Sequence, residues 1–274
     1  MGYEIVSGDN ALTWEAFEKI ALEDIEKVRR QRQATNNPAE YSDWIYRGHA
    51  SKDWTLETTL ERFLRDDLET PREKYPIIEY YRYLAAIVPA VNSLTLQKFP
   101  QFAAHELDLD RARPLPQYEL LCFARHHGFP TPLLDWTVSY YVAAFFAFRS
   151  ARADEDAAIF AYKEWNGDAR GGWVGQPIID EHGPYVETHV RHYKQQSRYT
   201  VCRAKIDEKI FLMNHQKAVE EDPENHTIKK FVLRSDEKAK VLERLFRMNI
   251  NDYTLFGDEE SLMRMLAYKE FRDL

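Results

Sequence analysis

The chain has 274 residues, with 37 Lys and Arg against 45 Asp and Glu for a formal net charge of −8, and 44 % of it is hydrophobic and 14 % aromatic. That length fits one or two domains, and the apolar content excludes a wholly disordered chain. Only 10 glycines and 12 prolines exclude collagen-like and low-complexity architectures, and the acidic balance weakens a general nucleic-acid binder without excluding a local basic groove.

The first 40 residues predict a helix. Trp14, Phe17, Ile20, Ala21, Ile25 and Val28 recur at steps of three and four, with Thr13 as a candidate cap. A polar stretch closed by Asn37-Pro38 ends it. A short strand follows at Asp43–Gly48, then helices at 55–69, 73–99 and 115–127, with prolines as breaks or first-turn residues. Tyr140–Phe148 is apolar throughout and must be a buried helix or strand. Ala157–Tyr162, Arg198–Ala204 and Ile228–Arg234 read as strands, with a loop of four glycines at 167–177 after the first of them. A helix at 236–248, a strand at Tyr253–Phe256 and a helix from Glu259 close the chain. The order predicts an α+β single domain, a helical N-terminal half packed on a split, mostly antiparallel β-sheet, with a lead-in at 1–40 and the main domain at 41–274.

No apolar run approaches the roughly 18 residues of a membrane span, and MGYEIVSGDN lacks the basic and apolar regions of a signal peptide. Cys122 and Cys202 alone build neither a disulfide framework nor a four-ligand zinc site. These features predict a reduced, cytoplasmic protein with no membrane partner.

Three segments carry residue types poorly suited to packing alone. In Trp44–His49, Arg47 is an arginine inside an aromatic strand, costly to bury without an anion. It is either a grip on a carboxylate or phosphate or half of a structural Arg–Asp pair. Gly48 beside it would let a ligand approach the backbone. His126–Ser139 combines two histidines, Gly128, two prolines, Thr131, Asp135, Thr137 and Ser139 ahead of the apolar element, a rigid loop of the kind that carries sites. Thr137 or Ser139 alternatively cap the helix, and Asp135 alternatively anchors the loop. Tyr193–Thr200 brings Gln195 and Gln196 up to a strand. Arginine and histidine concentrate in 111–127 and 189–203, segments that either face each other or form ordinary solvated surface.

Other chemistry has less support. Cys122 and His126 share a helical face, but no further ligands at metal spacing follow, so no metal is expected. Cys122 sits in LLCFA and reads as core rather than nucleophile. Asp258-Glu259-Glu260 suits a helix start.

Together these segments resemble the FRG domain family. The matching pieces are Tyr46-Arg47-Gly48, the run His127–Thr137 and the helix at Ala143–Ala147; Gln195-Gln196 and Leu255–Asp258 match weaker features, so the resemblance spans about 40 to 270. Ser197 stands where glycine is usual and Gly257 where proline is usual. More distantly, the layout is similar to ADP-ribosyltransferases. That resemblance implies an ADP-ribosyltransferase-like fold and an NAD-consuming toxin or antiphage effector acting on a nucleic acid or protein, with an antitoxin or regulatory partner. NAD would be the substrate, gripped by Arg47 and Gly48, with His126, His127, Thr131, Asp135, Thr137 and Ser139 around it. Gln195 or Gln196 would take the place of a catalytic glutamate, with Asp258, Glu260 or Asp135 as a candidate acid. Breaking the glycosidic bond develops positive charge on the ribose, which a carboxylate stabilises and a glutamine does not. The competing expectation is a nucleotide- or nucleic-acid-binding regulatory module without turnover.

Overall fold

The computed structural model describes residues 3–7, 10–110, 112–167, 175–183, 190–223 and 226–272. Most of the glycine loop (168–174), Arg111 and His189 lie outside the described residues.

Strands β1 (Tyr3–Ile5), β2 (Ile45–His49), β3 (Lys74–Pro76), β4 (Leu134–Thr137), β5 (Ala157–Lys163), β6 (Ile178–His182), β7 (Ser197–Ile206), β8 (Lys209–Met213) and β9 (Thr227–Leu233) form one curled sheet in the order β1-β9-β5-β2-β4-β7-β8-β3, with β6 on the other edge of β7. All named pairings are antiparallel except β1 with β9, so the sheet is mixed. Its two halves meet at the single pair Tyr46↔Thr137. The fold is α+β, as the element order predicts.

Helix α1 (Trp14–Ala34) starts where expected, Thr13 Oγ1 accepting from the Ala16 N–H. Trp14 and Phe17 are fully buried with Phe231 of β9 and the next apolar helix, each burial contributing roughly 1.5–3 kcal/mol. That helix is α5 (Tyr140–Arg149), which settles the helix-or-strand alternative for the run; Ser139 caps it, accepting from the Val142 N–H. α5 lies directly on β2 because Gly48 has no side chain. A Cβ there would sit 1.9 Å from the Ala143 carbonyl oxygen and 2.6 Å from the Ala147 nitrogen. Gly48 is therefore required first by helix–sheet contact.

Other boundaries differ from expectation. The helix expected at 55–69 is one turn, α2 (Thr59–Arg62), running into a π-turn at Phe63–Asp67. The one expected at 73–99 begins as β3, and Pro76 then starts α3 (Ile77–Leu94). α4 (Tyr118–His126) is shorter than 115–127 at its start. β6 and β8, α6 (Val190–Lys194) and α7 (His215–Glu221) had no clear signal. After α8 (Lys238–Arg247), Tyr253–Phe256 is helical, not extended. A capping box between Asn251 and Thr254 starts α9 (Asp252–Phe256), and Gly257 at φ +75° ends it before α10 (Glu259–Phe271).

Among the described residues no helix is long and apolar enough to cross a membrane.

Candidate functional site

Where the two halves of the sheet part, a cleft of about 400 Å³ opens between β2, β4, α5, α6 and α9. Arg47, Gly48, His126, Asp135, Thr137 and Gln195 all line it, although 148 positions separate the first from the last.

Arg47 holds its place through the sheet. Its Nε–H donates to His49 Nε2 at 2.9 Å and its Nη1 to the Asp135 carbonyl at 2.8 Å, with the Asp135 carboxylate 3.7 Å away. Both sequence alternatives for Arg47 thus have a basis: it has an Asp partner, yet among the described residues no acceptor meets Nη2. Burial pushes its guanidinium down to about 10, with Asp135 pulling upward, so it stays charged at neutral pH. Because Nε donates, His49 must present a lone pair. Burial, and next the charge of Arg47, holds the imidazole well below its ordinary range. His49 is therefore neutral, with Nδ1 facing the Trp54 carbonyl at 3.4 Å.

Asp135 is clamped by a second arginine. Arg125 donates from Nε at 3.1 Å and from Nη2 to the other carboxylate oxygen. Burial raises the carboxyl, but Arg125 and Arg47 outweigh it and leave Asp135 below the ordinary carboxylate range. It is an ionised partner for two cations and not a free acid.

The two Arg- and His-rich segments do face each other. The Tyr199 hydroxyl lies 3.1 Å from His126 Nε2 on α4 and 2.9 Å from His192 Nε2 on α6. One hydroxyl proton serves one ring, so the other ring donates to the oxygen.

On the far wall, Gln195 Nε2 donates to the Leu255 carbonyl at 3.1 Å, and Arg191 reaches the Phe256 carbonyl and the Asp258 carboxylate. These bonds fasten α6 to the turn between α9 and α10. Thr137 closes the floor, its Oγ1 accepting from the Ser139 N–H at 3.1 Å.

The remaining candidates are elsewhere. Gln196 is exposed in a left-handed turn, φ +49°, and its carbonyl accepts from the Val138 N–H. Asp258 caps α10 and pairs with Arg191 outside the lining. His127 is exposed against Phe123, ring centroids 4.2 Å apart, in a different groove. Thr131 is buried as an anchor for α2, its N–H donating to Thr59 Oγ1. Ser139 is the helix cap. Each of these five satisfies local backbone, packing or charge and does not line the cleft. Cys122 is fully buried and burial pushes its thiol up, which fits core and not a nucleophile.

Sequence reasoning missed Trp54, Phe146, Tyr199 and Phe256 as lining residues. Of these, Tyr199 lies in the segment flagged for its basic residues, and Phe146 and Phe256 lie in the segments 143–147 and 255–258 that carry the family resemblance, whereas Trp54 had no signal.

An α+β protein with an arginine-lined, aromatic-walled cleft at a sheet junction is the class that fold and site define. Within it, the FRG domain family model matches residues 42–156, and the chain carries an FRG domain there. The match takes in β2 to α5, and so Arg47, His126, Asp135 and Thr137, but stops short of Gln195; it is narrower than the 40–270 resemblance. No curated protein and no solved structure matches the chain.

Proposed function

We propose that the cleft binds a dinucleotide of the NAD class and that the protein is an ADP-ribosyltransferase-like effector modifying a nucleic acid or protein. The carrying observation is that Arg47, Thr137 and Gln195 share one cleft, as the resemblance implies. Arg47 Nη2 grips the pyrophosphate, the charge-assisted contact for which a guanidinium is suited. Phe146 and Phe256 flank the ring system, and Thr137 braces the ribose end. Gln195, with its amide nitrogen committed to Leu255, offers Oε1 to a ribose hydroxyl. In the transfer, the bond from ribose C1′ to the nicotinamide nitrogen breaks, its electron pair stays with the ring, and the acceptor bonds C1′ and releases its proton to solvent.

A specific observation favours a second reading, a nucleotide-binding regulatory module that acts through a partner without turnover. Asp135 is the one carboxylate among the lining residues and is held by Arg125, so no unpaired negative charge faces the ribose.

Purified protein incubated with adenine-labelled NAD and cell lysate separates the two. Label in macromolecules, lost with Arg47→Ala while the variant stays folded, supports transfer. ADP-ribose binding by calorimetry without label or nicotinamide release supports the module. Neither binding nor turnover overturns both.

A further inference from the structure

A second cavity, of about 290 Å³, lies between α5, α8 and α10 and adjoins the cleft, Ser150 lining both. α8 packs on α5 and α10 on α9, and the space between the two helix pairs stays open. Phe145, Leu242, Phe246, Ile250 and Met265 line it, with Tyr268 beside Phe246, ring centroids 5.4 Å apart. Phe145 and the cleft's Phe146 are successive residues of α5 that serve different cavities. Its volume is near the lower end for small-molecule sites, roughly 300–1,000 Å³, so the occupant is small. Three aromatic rings in an otherwise aliphatic wall suit a flat ring body.

One part of the wall is charged. Arg149 donates from Nε to Asp252 Oδ1 at 2.6 Å, and the pair is largely buried, the side chains 25 % and 16 % exposed. That bond uses Nε only; among the described residues neither Nη1 nor Nη2 meets an acceptor. Phe145 and Phe256 lie against the guanidinium, ring centroids 6.0 and 5.0 Å from its carbon. A guanidinium packed by rings, with both terminal nitrogens uncommitted, matches the fork of a carboxylate. Arg264, the other cation of the lining, pairs with Glu260 in solvent, so two arginines accompany one aspartate in the wall. That balance suits a single negative charge. Asn251 is committed to capping α9, its Oδ1 accepting from the Thr254 N–H. A sugar or polyphosphate would leave hydroxyls or extra charges against phenylalanine, leucine and methionine, at the cost of unpaired polar groups.

We infer that the cavity between α5, α8 and α10 is a second ligand site, which takes a small aromatic monocarboxylate. The ring body lies among Phe145, Phe246 and Met265, and the carboxylate accepts from Arg149 Nη1 and Nη2. The site goes beyond the donor reading of the cleft and does not depend on it.

The test titrates the full chain calorimetrically with cinnamate and, separately, with cinnamamide, which keeps the ring and lacks the charge. Cinnamate is expected to bind about tenfold more tightly, since a charge-assisted pair replaces a neutral hydrogen bond. Arg149→Gln should abolish that preference. Asp252→Asn unpairs Arg149 and should tighten cinnamate severalfold at low salt, a gain that loss of structure would not give. Met265→Trp fills the cavity and should block both probes while the thermal melt shows the chain folded. Arg47→Ala, in the cleft, should leave cinnamate binding unchanged. Cinnamate binding that is lost in Arg47→Ala, survives Met265→Trp in full, or is no tighter than that of cinnamamide would each overturn the site. So would the absence of binding at millimolar concentration.

Discussion

Arg47 donates its Nε–H to His49 Nε2 at 2.9 Å, two residues further along the same strand. A cation thereby fixes a neutral imidazole, whose other nitrogen meets the Trp54 carbonyl. His49→Leu keeps the volume but removes the acceptor, stranding a partly buried donor at a cost of about 1–3 kcal/mol. Urea unfolding of the variant should show that loss, and calorimetry should show weaker ADP-ribose binding as Arg47 loses its constraint. Unchanged values for both would mean that His49 does not position Arg47.

Gly48→Ala is expected to be the most damaging small change in the sheet. The new methyl would lie 1.9 Å from the Ala143 carbonyl oxygen, and backbone cannot swing away as a flexible side chain can. A loss of about 3 kcal/mol or more follows from overpacking of this severity. Thermal denaturation checks it; a melting temperature equal to wild type would refute direct α5–β2 contact.

Asp135→Asn should separate stability from ligand affinity. It removes the charge that Arg47 and Arg125 share, but the Asp135 side chain is 40 % exposed, so water screens much of the loss and about 1–2 kcal/mol is expected. The cleft meanwhile becomes more positive, and ADP-ribose should bind severalfold more tightly at low salt. Weaker binding would show that the carboxylate itself contacts the ligand.

Acid sensitivity should depend on His182 in β6. It is 2 % exposed, and neither ring nitrogen is hydrogen-bonded among the described residues. Burial, then Arg203, pushes it down to about 4. An unfolded histidine titrates near 6.5, so between about pH 6.5 and 4 the unfolded chain takes up a proton that the native state refuses. Stability is therefore lost as pH falls through that window, by up to about 1.4 kcal/mol per pH unit. Glu181 beside it, raised to about 7 chiefly by burial, works in the opposite direction. His182→Phe should flatten the fall of the urea midpoint between pH 6 and 4; an unaltered profile would place the imidazole in contact with water.

The local part of the fold was legible because its signals are local. Thr13 and the three-four spacing after it define α1, and alternation defines β7 and β9. Segments without such patterning were not legible. β3 and β8 are short strands that pair with each other at the sheet's edge, and their residues have no face to declare before pairing. Tyr253–Phe256 looks extended by its side chains, but the Asn251–Thr254 cap and Gly257 make it a helix.

By itself the sequence determined the apolar helices, the principal strands, the family resemblance carried by Tyr46-Arg47-Gly48 and the loop after His126, and the suspicion that two basic segments meet. Those depend on residue type and spacing along the chain. The tertiary structure alone decided which polar groups converge. Gln195 directly follows α6 and points its amide at Leu255, while Gln196, one residue on, turns left-handed into solvent. Side chains one peptide apart part company because the backbone dihedral between them changes sign. Whether Gly48 serves a ligand or a helix depends on Ala143, a residue 95 positions away whose distance is set only when α5 packs on β2.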